Sequence, residues 1–249
     1  MFRRRRDTPE PPQIDVAALV RDHLGEGRPT GWFEPLYAAA DGHADVVPWG
    51  GQEAHPYVTD WLQAPVVDPP GRRAVVVGCG LGGDAAAVAA AGYDTVAFDV
   101  APTAVAWARR ALPASVEVRV ADLLDLDEEL LGAFDLVVEV RTVQSLPGVV
   151  RDAAMHAVAS LAAPKGVVVA VTLLATSADA ARDWQGPPWA QAPAELAAYR
   201  AGGLERVALE HPDPDGAPAV DVRLTFERGV LPPGGGLPMA GGPDVLGIG

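Results

Sequence analysis

Between residues 73 and 172, short apolar runs alternate with alanine-rich segments whose apolar residues recur at helical spacing. Short apolar runs are typical of strands buried on both faces of a sheet. The predicted strands are 74–77, 95–98, 116–120, 134–140 and 167–172, and the predicted helices are 84–91, 103–111 and 149–161. Regular alternation of strand and helix predicts an α/β fold with a parallel, doubly wound sheet.

The end of the pattern differs from this alternation. Two more strands, 204–210 and 220–227, are separated only by the turn-rich sequence PDPDGAP. A connection this short cannot carry the chain across to a parallel position, so the two strands should pair as an antiparallel hairpin. The sequence therefore predicts a mostly parallel sheet of seven strands that ends in a C-terminal antiparallel hairpin.

The region ahead of the first strand contains one amphipathic segment, 14–24, and an aromatic, loop-rich segment, 31–65. Residues 1–12 and 230–249 are rich in Pro, Gly or Arg and are predicted to be a disordered arm and a flexible tail. We therefore predict a single domain over residues 13–229. Within it, residues 13–65 should form a cap over a ligand-binding core of residues 72–229.

Charge and composition exclude several classes of partner. A formal net charge of −14 repels phosphate backbones, so nucleic acid is not an expected partner. No apolar run reaches the roughly 18 residues that a membrane span needs. The basic start, Arg3–Arg6, is followed by Pro-rich sequence rather than an apolar run, so export is not expected. The oligomeric state is left open.

The few cysteine and lysine residues bear on metal sites, on cellular location and on the source of the protein. A single cysteine, Cys79, excludes a disulfide framework and a cysteine-based zinc site, which favours a cytoplasmic location. No paired His or Cys spacing indicates a metal site. Lys165 is the only lysine in a chain rich in Ala, Gly, Pro and Val, a composition typical of a GC-rich bacterial genome.

The strongest chemical signal is the sequence VVVGCGLGGD at residues 75–84, which follows the first strand and opens a helix. Glycines allow a tight turn and a close approach of a ligand to the backbone, and the helix N-terminus offers free N–H groups. Asp99 ends the next strand, where a carboxylate can accept both hydroxyls of a ribose. Strand, turn, helix, strand and acid in this order predict a site for a nucleotide-type ligand.

The glycines alone do not identify the ligand, because Gly78, Gly80 and Gly83 also satisfy the fingerprint of dinucleotide-binding enzymes. Residues later in the chain separate the two kinds of ligand. Asp122 follows the third strand, where an acid and a neighbouring N–H group can contact the edge of an adenine. The fourth strand ends at the same crevice, the switch point of the sheet. A nicotinamide-dependent oxidoreductase remains an alternative, but the Tyr-x-x-x-Lys pair of short-chain enzymes is absent and the terminal hairpin favours methyl transfer.

Several motifs together resemble those of the thiopurine and thiol methyltransferase branch of class I enzymes. They are WFEPLY at 32–37, PW at 48–49, HP at 55–56, the GCG turn with its following Asp, and GPPW at 186–189 ahead of Glu195. The resemblance spans residues 32–228. One departure is Val76, which replaces an acid that many class I enzymes carry two residues before the first glycine.

The resemblance implies a Rossmann-like fold, S-adenosyl-L-methionine as cofactor and a small-molecule acceptor, most simply a thiol methylated by in-line displacement. A hydroxyl or amine acceptor is the alternative, and it would need a general base. The expected cofactor-binding residues are Trp32, Trp49, Gly78, Cys79, Gly80, Gly82, Asp84, Asp99, Val100, Asp122, Leu123 and Glu139. The candidates for acceptor binding are Tyr37, Gln144 and Trp189, and those for catalysis are His43, His55 and Arg141.

Overall fold

The computed structural model describes residues 11–51, 53–64, 71–211 and 215–229. The predicted arm and tail lie outside these residues, except for Pro11 and Pro12. The cap and core boundaries at 65 and 72 also fall on or next to residues outside the description, so the domain division stays a prediction.

A seven-stranded sheet forms the centre of the fold, as predicted. Its strands are β1 (Arg73–Val77), β2 (Asp94–Asp99), β3 (Glu117–Val120), β4 (Phe134–Val140), β5 (Ala162–Ala175), β6 (Leu204–Glu210) and β7 (Ala219–Arg228). The strand order is β3-β2-β1-β4-β5-β7-β6. The first five strands are parallel, whereas β7 is antiparallel to both β5 and β6. The structure thus confirms the parallel sheet with its terminal hairpin.

Eight α-helices are described around this sheet. They are α1 (Val16–Gly25), α2 (Phe33–Ala40), α3 (Pro56–Leu62), α4 (Gly83–Ala90), α5 (Pro102–Ala111), α6 (Gly148–Leu161), α7 (Ala178–Asp183) and α8 (Ala197–Ala201). Helices cover both faces, because alternate residues of β1 join different cores. Val75 and Val77 belong to the core that contains α6, and Ala74 and Val76 to the core that contains α4.

Two predicted segments contain more regular structure than expected. The segment 31–65, predicted as loop-rich, also contains two helices, α2 and α3. The buried side chains of α2 follow helical spacing, and Pro35 lies in its first turn, where a missing N–H removes no intrahelical bond. Strand β5 is also much longer than the predicted 167–172, because antiparallel pairing with β7 extends it to Ala175.

The N-terminal segment is fastened to the sheet domain by specific polar contacts. The Glu34 carboxylate on α2 accepts hydrogen bonds from the backbone N–H of Thr103, at 2.9 Å, and from its hydroxyl, at 2.7 Å. These bonds satisfy free donors in the first turn of α5. The backbone N–H of His55 donates to the Asp84 carboxylate at 2.8 Å, which ties the start of α3 to the start of α4. Both contacts hold the segment against the carboxyl edge of the sheet.

Candidate active site

A cavity of about 390 Å³ opens at the carboxyl ends of the parallel strands. This is the edge at which doubly wound sheets bind their ligands, and the strand order reverses direction there between β1 and β4. The predicted site residues that line the cavity are Tyr37, Trp49, His55, Gly78, Cys79, Gly80, Asp84, Asp99, Val100, Asp122, Leu123 and Arg141. The cavity has two halves, which lie on either side of β1. The first half lies at the ends of β2 and β3, and the second half lies at the ends of β4 and β5.

The turn after β1 forms the floor between the two halves. Gly78 has a φ of 59°, and a Cβ at this position would lie 2.4 Å from Oγ1 of Thr142. Gly80 has a φ of 51°, and its Cβ would lie 3.1 Å from the Tyr37 hydroxyl. Only glycine fits both the backbone and the space here. Burial raises the pKa of the Cys79 thiol between them, so this side chain stays protonated and acts as a small buried filler.

Asp99 is the central carboxylate of the first half. Its oxygens accept backbone N–H groups from Gly80 and Ala101, each at 2.9 Å. Burial raises the pKa of Asp99 to about 6, and the N–H bonds partly oppose that rise. The group is therefore mostly ionised at neutral pH. Each carboxylate oxygen has a further lone pair, so Asp99 can still accept hydrogen bonds from a diol in the cavity.

Asp122 extends the same half beyond the end of β3. Its Oδ1 accepts the backbone N–H of Leu124 at 2.9 Å, and its Oδ2 accepts the Thr30 hydroxyl at 2.9 Å. The first bond shapes the loop and the second brings the N-terminal segment to the edge of the cavity. Leu123 and Val100 supply apolar surface beside the two acids. An apolar slot between two carboxylates fits the adenosine part of the expected cofactor.

His55 and Arg141 lie in the second half. The His55 ring caps α3, because its Nδ1 accepts the Tyr57 backbone N–H at 3.2 Å, which leaves the proton of the neutral ring on Nε2. Burial lowers the pKa of His55, and the positive charge of Arg141 lowers it further. The ring is thus neutral at neutral pH, with its basic nitrogen already engaged. This arrangement favours a positioning role for His55 over that of a general base.

Aromatic side chains from the N-terminal segment cover the cavity. The indole N–H of Trp49 donates to the Tyr37 hydroxyl at 2.7 Å, and both rings line the cavity. Burial raises the pKa of Tyr37 well above its ordinary value, so the phenol is neutral and cannot serve as a base at neutral pH. The pair gives the cavity a rigid, largely apolar wall.

Three predicted residues from the first half of the chain do not line the cavity. Trp32 is fully buried and stacks on Phe33 with the ring centroids 4.0 Å apart, so its neighbour Phe33 takes the place at the wall. His43 precedes a short 3₁₀ helix, 44–46, where its ring nitrogen lies 3.9 Å from the Asp45 carboxylate. Gly82 is the N-cap of α4, and a Cβ at this position would lie 3.0 Å from the Leu112 side chain rather than in the cavity.

Three predicted residues from the second half also have other positions. The buried Glu139 carboxylate accepts the backbone N–H groups of Thr142 and Val143, at 2.6 and 2.9 Å, so it holds the turn after β4. Gln144 is fully buried, and its Oε1 accepts the Thr172 hydroxyl at 2.6 Å. Trp189 lies beneath the guanidinium of Arg151, while its neighbour Pro188 lines the cavity.

Sequence reasoning missed several residues that line the cavity. They are Thr30, Phe33, Glu53, Thr142, Ser145 and Pro188. Phe33 and Pro188 lie within the quoted motifs, one residue from the predicted position, and Thr142 directly follows Arg141. Thr30 had no local signal, because its partner Asp122 is 92 residues away.

Two other kinds of site are absent from the described part of the chain. No group of three or more His, Cys, Asp or Glu side chains there could hold a metal ion. Among the same residues, no helix is both long enough and apolar enough to cross a membrane.

Comparison with known proteins agrees with this geometry. The model of the thiopurine S-methyltransferase family matches residues 42–223. A ubiquinone biosynthesis O-methyltransferase of Xanthomonas campestris pv. campestris (strain B100) is 37% identical over 127 residues, which are 50% of this chain and 52% of the relative. The chain thus spans about half the length of that curated relative.

Solved structures show the same fold at low sequence identity. One is the 1,6-didemethyltoxoflavin-N1-methyltransferase of Burkholderia thailandensis, with 16% identity, a TM-score of 0.58, and 90% of this chain and 93% of that chain covered. Another is magnesium protoporphyrin IX methyltransferase of Synechocystis PCC 6803, with 19% identity, a TM-score of 0.55, and 87% and 98% covered. The family assignment favours methyl transfer over the oxidoreductase alternative. Because the family model covers well over half of the sequence, this chain belongs to the thiopurine S-methyltransferase family.

Proposed function

We propose that this protein transfers a methyl group from S-adenosyl-L-methionine to the sulfur of a small thiol. The observation that carries the proposal is the buried Asp99 carboxylate, which lines the cavity beside the glycine turn in a chain of this family. When bound, the cofactor supplies a methyl group on a positively charged sulfur, which already makes it a good electrophile.

The first half of the cavity is the proposed adenosine site. Asp99 would accept the two ribose hydroxyls, and Asp122 with Leu123 would contact the adenine edge. The Gly78–Gly80 turn lets the cofactor approach the backbone closely, and Asp84 at the start of α4 lines the same floor. The chain has the acids, the turn and the volume that this cofactor needs, so the residues present fit it.

The second half is the proposed acceptor site. Displacement at carbon gains most from holding the two reactants in line and from excluding water. Phe33, Tyr37 and Trp49 provide a wall that covers the cavity from the N-terminal segment, and Pro188 and Arg141 also line the cavity. Catalysis by this chain would then rest on positioning rather than on covalent chemistry.

The same half favours sulfur as the acceptor atom. A hydroxyl acceptor needs a base to remove its proton, whereas a thiol ionises close to neutral pH, with a pKa of about 8.5. The histidine that lines the described cavity has its basic nitrogen engaged, and the tyrosine there is held neutral. These residues offer little to a hydroxyl acceptor. The name of the matching family points to sulfur as well.

A hydroxyl acceptor is the second candidate, because the curated relative from Xanthomonas is named as an O-methyltransferase. Glu53 lines the cavity and is the described side chain that could then act as base.

An acceptor panel separates the two candidates. Purified protein and cofactor are mixed with thiols, phenols, amines and carboxylic acids, and methylated products are quantified by mass spectrometry. We expect the highest kcat/KM among the thiols. A phenol or amine preferred by more than about tenfold, or about 1.4 kcal/mol in transition-state binding, would overturn the sulfur assignment. Titration calorimetry with S-adenosylhomocysteine, with NAD as control, tests the cofactor independently.

A further inference from the structure

Arg141 is the one arginine among the described residues that line the cavity, which include no lysine, and its charge is balanced. Its guanidinium forms an ion pair with the Asp221 carboxylate, which reaches it from β7. Both side chains are partly buried, at 37% and 35% relative exposure, so water screens this pair less than a pair on the open surface. The charge that an anionic acceptor would seek is therefore already neutralised by the protein.

The rest of the cavity adds negative charge. Glu53, Asp84, Asp99 and Asp122 line it, while His55 contributes no positive charge at neutral pH because burial and Arg141 lower its pKa. Asp221 opposes that effect of Arg141, but burial is the larger cause. An acceptor with a carboxylate of its own would meet a neutralised arginine in a cavity whose other charged side chains are acids.

The two residues of the ion pair lie in or directly after strands of the sheet. Arg141 follows β4 with a φ of 56°, and its backbone N–H donates to Val171 of β5 at 2.8 Å. Asp221 lies in β7, paired with Leu173 of β5, and its carbonyl accepts the Tyr57 hydroxyl at 3.4 Å. Both partners are thus anchored by backbone contacts, which keep the two side chains within reach of each other.

We propose that Asp221 determines acceptor specificity by neutralising Arg141, so that the site selects thiols that carry no second anionic group. The inference rests on the proposed function and adds the substrate class to it. The reacting sulfur faces the positive charge of the cofactor, whereas a remote carboxylate would face the Arg141–Asp221 pair. Removal of the Asp221 charge would leave Arg141 free to bind that carboxylate.

The test compares two acceptors that differ only in charge, 4-mercaptobenzoate and 4-mercaptobenzamide. We expect the wild type to prefer the amide by about tenfold or more in kcat/KM. Asp221→Asn should reduce or reverse this preference by about tenfold. Glu210→Gln is the matched control, because Glu210 pairs with Arg223 on the same hairpin and neither residue lines the described cavity. Its preference should equal that of the wild type.

Three kinetic results would overturn the proposal. They are a wild-type preference for the carboxylate, an Asp221→Asn ratio within about twofold of wild type, and an equal change in the Glu210→Gln control. Calorimetry with S-adenosylhomocysteine serves as the check on the variant. Unchanged affinity is expected, whereas tighter binding in Asp221→Asn would place Arg141 at the carboxylate of the cofactor and would also overturn the proposal.

Failure of the proposed function gives a different result. If the wild type methylates no thiol, the assignment of sulfur as acceptor atom is wrong. The role of Asp221 is then tested by measuring the binding of acceptor analogues. Benzoate and benzamide are titrated into the complex with S-adenosylhomocysteine, and the same shift of about tenfold in Asp221→Asn is required. A benzoate to benzamide affinity ratio that Asp221→Asn leaves unchanged would refute the specificity role whatever the acceptor atom is.

Discussion

Replacement of Glu139 by Gln should make the protein more stable at alkaline pH than the wild type. Glu139 is 1% exposed, and its carboxylate accepts two backbone N–H groups and the Tyr199 hydroxyl, the last at 3.3 Å. Burial raises the pKa of Glu139 to about 7, and the three hydrogen bonds only partly oppose that rise. Gln keeps an oxygen acceptor for the turn without the buried charge.

The magnitude follows from the difference in pKa between the two states. The ordinary pKa of glutamate is 4.5, so the folded protein binds this proton more tightly by about 2.5 pH units, or about 3 kcal/mol. Because the folded pKa is the higher one, the contribution to stability is complete below pH 4.5. It is lost as the pH rises through about 7. Glu139→Gln removes this loss.

Urea denaturation at about pH 5 and pH 8.5 provides the measurement. The free energy of unfolding of Glu139→Gln relative to wild type should rise by about 2.5 kcal/mol between the two conditions. Other acids titrate in the same range, but they cancel in the difference between variant and wild type. Glu205→Gln, which removes an exposed carboxylate from β6, controls for net charge. The same difference at both pH values would refute the reasoning.

Three further substitutions test the cavity itself. Asp99→Ala should weaken binding of S-adenosylhomocysteine by about 1.5–3 kcal/mol for each charged hydrogen bond lost, and unchanged affinity in calorimetry would remove Asp99 from the ribose site. Gly78→Ala should lower the Tm and reduce cofactor binding, because the new Cβ would lie 2.4 Å from Oγ1 of Thr142 at a φ of 59°; a wild-type Tm would contradict this. Trp49→Phe should cost about 1–3 kcal/mol in urea denaturation, because the buried Tyr37 hydroxyl loses its donor. Adding Tyr37→Phe should restore part of that loss, and no recovery would count against it.

The sheet was predictable because its strands are continuous apolar runs, and the segments between them carry apolar residues at helical spacing. Parallel strands bring their carboxyl ends to one edge, so Asp99 and Asp122 could be placed at one site from the chain order alone. The same rule misplaced Glu139, since it gives the end of a strand but not the direction of a side chain there. Successive side chains of a strand point in opposite directions. A shift of one position therefore decides whether such an acid faces a ligand or caps the turn that follows its own strand.

The N-terminal wall shows a second limit. Trp32 and Phe33 are adjacent aromatic residues, and only the helical face of α2 decides which one lines the cavity and which one is buried. That face is set by the docking of Glu34 on Thr103 and of Thr30 on Asp122, contacts between residues 69 and 92 positions apart. Local patterns contain no information about such pairings, so the aromatic motif indicated the region but not the residue.

The bridge from Glu34 to the first turn of α5 also fixes an order of assembly. During synthesis, α1 and α2 emerge first, but the partner of Glu34 is made 69 residues later and that of Thr30 92 residues later. Until then the buried face of α2, with Leu36 and Tyr37, has no surface to cover. The aromatic wall of the cavity can therefore be completed only after β1, β2 and β3 have been synthesised, although its residues are translated before them.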